Sequence, residues 1–228
     1  MEFGLPYSKS LGKAAAGVIL VSLFSKMLGF GREIVIAAQL GATSAGDIFR
    51  VATFLPTMLF GILAYGFTNT FIPLLTEQET KAGHGAVKRY VTNVTNAITV
   101  LMVLLTALGM LLNPWIVKVI APGFNRETYQ LTVAATYWLM PNIVLLGFIG
   151  LATGYLNYRQ IFVLPRISGL VFNLLIITTL VILVPRIGLF GAVAGLIVAY
   201  TGQAFSCLLL LGGMDTILVP FSTGGTPI

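Results

Sequence analysis

The chain has 228 residues, of which 57% are hydrophobic and 9% charged, with a formal net charge of +6. Soluble domains carry about 25% charged residues, so this composition excludes an ordinary soluble fold and points to a polytopic membrane protein. The cations are scattered singly, which argues against nucleic acid, and a lone cysteine, Cys207, excludes a disulfide framework or thiolate metal cluster.

Only helices and closed barrels span a bilayer. Barrel strands alternate over about ten residues, whereas the runs 97–112 and 172–184 are apolar throughout. The expected fold is therefore an all-α bundle. Lys9 and Lys13 precede an apolar run that imitates a signal peptide, but no small-residue cleavage site closes it. It reads as a retained first helix.

Six membrane-spanning helices fit. The first covers about 11–40 and is expected to break at Gly29-Phe30-Gly31. A tight turn over 41–44 leads to the second, about 45–75, which holds Pro56 and Pro73. A polar loop over 77–88 carries the single histidine, His84, whose plain reading is a solvated side chain. The third span covers about 86–112, and a loop with a short interfacial piece near Trp115 covers 113–125. The fourth covers about 127–157, with Pro141 as a kink; the fifth covers 164–184 and the sixth 189–211. The lobe is thus 1–213, with a short tail at 214–228 that reads as disordered or truncated.

Lys and Arg counts set the orientation. With the N-terminus cytoplasmic, Lys9, Lys13, Lys81, Lys88, Arg89, Arg159 and Arg166 lie inside, against Lys118, Arg126 and Arg186 outside.

The informative stretch is 22–50, which places Lys26, Arg32, Glu33, Asp47 and Arg50 within or beside spanning sequence. Lys26, Arg32 and Glu33 facing lipid together would cost roughly 8–10 kcal/mol. A polar cavity or mutual pairing is cheaper, and an intramembrane ionisable cluster is a candidate functional site. Lys26 and Glu33 share a face, about 10 Å apart along the axis, while Arg32 points away from Lys26. Gly29 and Gly31 are candidate hinges that would aim both cations at one cavity. Asp47 and Arg50, at i,i+3, have the spacing of an ion pair. Lys26, Arg32, Ser25 and Arg50 are the candidate binding residues for an anionic group, with Glu33 and Asp47 as ion-pair partners. The bland alternative is a set of interfacial salt bridges that lock the first two helices.

No nucleophile–histidine pair, metal spacing or phosphate-binding glycine loop is present. The expectation is a non-enzyme without cofactor or metal.

Ser25-Lys26-x-Leu28-Gly29-Phe30-x-Arg32-Glu33, then Gly41-Ala42 and Asp47-x-Phe49, resembles the opening signature of the MurJ (MviN) lipid II flippases. Leu55-Pro56, Gly66-Phe67, Phe71-Ile72-Pro73, Ala121-Pro122-Gly123-Phe124, Leu156-Asn157, Phe162, Pro165 and Asn173 follow in order. The resemblance implies one lobe of a two-lobed flippase of the multidrug/oligosaccharidyl-lipid/polysaccharide exporter superfamily, working by alternating access. It implies a lipid-linked peptidoglycan precursor as partner, held by its pyrophosphate on Lys26 and Arg32, in the bacterial inner membrane. Two departures stand out: Phe60-Gly61 occupies the place of an arginine pair, and Ala64-Tyr65-Gly66 that of an Ala-Glu-Gly.

Three other readings compete. A drug or cation exporter of the same superfamily would want a net acidic cavity. A non-transporting fragment or half-transporter would need a second lobe or another copy. An enzyme acting on polyprenyl phosphates is a distant fourth.

Overall fold

A computed structural model describes backbone residues 7–212, with side chains described except at 7–16, 18, 62–70, 72, 78–79, 81–86, 88 and 212. The tail at 214–228 and the side chains of Lys9, Lys13, Lys81, His84 and Lys88 fall outside the described set. The described chain is helical, with no strand: α1 (Tyr7–Leu40), α2 (Ser44–Ile120), α3 (Arg126–Leu139), α4 (Asn142–Tyr158), α5 (Val163–Ile187) and α6 (Leu189–Gly212).

The helical backbone of α2 covers both the second and third expected spans and continues through 77–88, where a loop was expected. It nevertheless doubles back. The rings of Phe71 and Tyr90 stack at 6.4 Å, whereas nineteen residues of straight helix would separate them by about 28 Å. Leu59 likewise reaches Gly109. The reversal lies between Leu75 and Val87, which are buried in one cluster. Two antiparallel arms thus replace helix–loop–helix. The same helix extends to Ile120, so only 121–125 remains as a loop where 113–125 was expected.

Local chemistry explains the ends. Thr43 accepts a hydrogen bond from Gly46 N–H and caps α2, and Asn125 caps α3 through Thr128 N–H at 2.8 Å. Pro141 cannot continue the hydrogen-bond ladder, and α3 and α4 meet there at 41°. α1 runs through Gly29 and Gly31 without the expected interruption.

Among the described residues, three stretches are long and apolar enough to cross a membrane, Arg89–Ile120, Val163–Ile187 and Leu189–Leu211, and the bent α3–α4 pair makes a fourth.

Between helices in lipid there is little hydrophobic driving force, so close packing matters most. α5 and α6 form the tightest hairpin. Gly188 takes φ 60° and ψ −137°, a conformation costly for any side chain, and α6 starts at the next residue. Gly191 then lies against the Leu183 backbone, where a Cβ would come within 2.6 Å of carbonyl atoms. Around this hairpin, Phe49 and Ala52 of α2, Leu139 of α3 and Leu196 of α6 form one buried cluster. α1 lies on α5, tied by Arg166 Nε donating to Ser22 Oγ at 2.5 Å.

Gly191→Ala should destabilise the lobe by about 1–3 kcal/mol through backbone overpacking. Thermal unfolding in detergent checks this by a lowered midpoint.

Candidate functional site

Arg32 is the centre of the site. It lies on the side of α1 that meets α5, and its guanidinium is engaged on three sides. Nη2 and Nε donate to Glu33 Oε1 at 2.7 and 3.1 Å. Nη1 donates to Asn173 Oδ1 of α5 at 3.4 Å. The Phe172 ring lies 5.7 Å from the guanidinium carbon, within cation–π range. These partners hold the charge while the side chain stays 29% exposed.

That exposed edge opens on a cleft of about 370 Å³. Its wall includes Arg32 and Glu33 of α1, Phe49, Arg50, Thr53 and Thr57 of α2, Phe172 of α5 and Tyr200 of α6. The Thr53 and Thr57 hydroxyls donate back to Phe49 and Thr53 carbonyls on their own helix. The two arginines are therefore the strong donors facing the cavity. Two cations against Glu33 leave it net positive.

Arg50 and Asp47 have the expected spacing but are not paired. The salt bridge at the site is Arg32–Glu33, and it does not involve either residue. Arg50 lines the cleft, and with Asp47 it also lines a second cavity of about 590 Å³ against Ile120, Ala121, Gly123 and Phe124.

The other sequence candidates lie elsewhere. Lys26 is exposed and is not among the cleft-lining residues. It shares the face of Glu33, about 10 Å further along the helix. Ser25 is half-buried and faces Gly169 of α5 at packing distance. Gly29 and Gly31 have open space where a Cβ would stand, so close packing does not demand them. At the departure Phe60-Gly61, Phe60 packs towards Gly150 of α4, and no cation replaces it there. Sequence reasoning did not assign Phe172, Asn173 and Tyr200 to the site. The available signal was Asn173, an amide in the apolar run of α5.

A profile of the family described as lipid II flippase MurJ matches residues 36–221, most of the chain. The chain belongs to the MurJ family. The match takes in Asp47, Arg50 and Asn173, while Lys26 and Arg32 precede it. The lipid II flippase MurJ of Burkholderia cenocepacia is 30% identical over 181 residues, which is 78% of this chain and 35% of that protein. The chain thus spans about a third of the length of the curated MurJ relatives it matches. Among solved structures, lipid II flippase MurJ in an inward closed conformation superposes with TM-score 0.71 at 20% identity, over 87% of this chain and 41% of that one. A MOP superfamily transporter from Pyrococcus furiosus, described as having a binding pocket of reverse polarity that suggests a different function, gives 0.74 at 14% identity, over 93% and 48%. Both likenesses bear on the fold alone.

Gly29→Ala and Gly31→Ala should each leave stability unchanged or raise it by up to about 1 kcal/mol, read as an equal or higher thermal midpoint, because Ala is the better helix former and meets no neighbour. A lowered midpoint would contradict the open environment seen here.

Proposed function

We propose that this MurJ-family chain is the N-terminal lobe of a lipid II-type flippase, and that its cleft binds the diphosphate of a lipid-linked glycan precursor. The observation that carries this reading is the pair Arg32 and Arg50. They come from different helices, line one cleft, and share it with a single carboxylate. A diphosphate matches them because guanidinium forks bind phosphate oxygens in pairs. Arg50 takes the part that the absent arginine pair at Phe60-Gly61 would play. Lys26, on the Glu33 face of α1 and nearer the helix start, meets the anion outside the cleft. Ser25 supports the packing of α1 on α5 rather than touching the ligand.

The role is transport, not catalysis, across the bacterial inner membrane, with the N-terminus cytoplasmic. The lobe is 1–213, with the tail at 214–228. Alternating access needs two bodies that rock against one another. The second body is a further stretch of a longer chain or another copy. Gly29 and Gly31 give α1 the backbone freedom to bend as the bodies move.

A cation exporter is disfavoured by the net positive cleft. Binding assays with a lipid diphosphate and a cationic dye separate the two readings. Arg32→Ala and Arg50→Ala should each weaken lipid-diphosphate binding by about tenfold or more, since a hydrogen bond to a charged group is worth about 1.5–3 kcal/mol. Dye binding should not weaken. Unchanged lipid affinity in both variants would defeat the proposal.

A further inference from the structure

Among the described residues, Arg50 is the cation that borders both cavities. On one side it faces the Arg32 cleft. On the other it faces a larger space with Asp47, Ile120 and the 121–124 turn, at the end of the lobe where α1 hands over to α2. Asp47 sits three residues earlier on the same helix, a spacing at which side chains meet. Both residues are exposed, and no ion pair joins them in this structure. Arg32 is fixed by Glu33 and Asn173; no such contacts hold Arg50.

We propose that Arg50 alternates between two partners, an anion in the cleft and Asp47 in the outer cavity, so that Asp47 is a built-in competitor that promotes anion release. The inference rests on the cleft binding a diphosphate, as proposed above. With Arg50 turned inward, the anion has two guanidinium groups. With Arg50 turned to Asp47, it keeps only Arg32, which is already shared with Glu33. One carboxylate outside the binding wall thereby tunes affinity inside it.

The test uses the full-length protein in lipid nanodiscs, with farnesyl diphosphate as probe. Asp47→Asn should tighten binding by about threefold or more, and Asp47→Ser should do the same. In an Arg50→Ala background neither substitution should have any effect, because the competition has lost its object. Arg32→Ala serves as the control for the cleft itself. If Arg32→Ala weakens binding but Asp47→Asn leaves it unchanged, the cleft reading stands and the Asp47 switch is overturned. If Asp47→Asn tightens binding equally with and without Arg50, Asp47 acts through the general field and the switch is overturned. If Arg32→Ala and Arg50→Ala both leave binding unchanged, the switch and the cleft reading fall together.

Discussion

A guanidinium inside a membrane lobe must be solvated by something, and the way Arg32 is held sets the character of this molecule. A charge in hydrocarbon is costly. Here the cost is met by a carboxylate, an amide oxygen and an aromatic face, supplied by α1 and α5. Those contacts use one side of the ion and leave the other facing open space. Breaking them would leave a half-buried charge uncompensated, which is more damaging than never having it. The packing of α1 on α5 and the Ser22–Arg166 bond therefore matter to the site, because they keep Asn173 and Phe172 beneath Arg32.

The asymmetry between the two cleft arginines follows from this. Arg32 has fixed partners and acts as a standing positive end. Arg50 sits on a different helix, one turn from a carboxylate it does not touch. The cleft thus joins a cation held by fixed partners to one that no ion pair holds. Lys26, earlier on α1 and exposed, does not join the cleft.

Much of this was legible in the sequence, for physical reasons. Unbroken apolar runs specify helices, and Pro141 specifies the bend between α3 and α4. Charges that do not belong in lipid mark where a cavity must be. The polarity of 77–88 points to a loop, yet the backbone stays helical through that reversal, because polar side chains do not by themselves end a helix. Gly29 and Gly31 were read as a break, yet two glycines lower helix propensity by only about 2 kcal/mol, and α1 absorbs them. Which cations converge was not legible either. It depends on how α1 and α2 rotate about their own axes against α5 and α6, and a single chain's periodicity does not fix that rotation. Asn173 and Tyr200 reach the site from sequence positions far from Arg32, so no local spacing reveals them.

The most direct measurement is a cryo-electron microscopy structure of the full-length protein with a bound prenyl diphosphate. The account predicts phosphate density in the cleft between Arg32 and Arg50, with the Arg50 side chain turned inward from Asp47. Phosphate density at another surface, with the cleft occupied by lipid tails or closed by collapsed side chains, would contradict it.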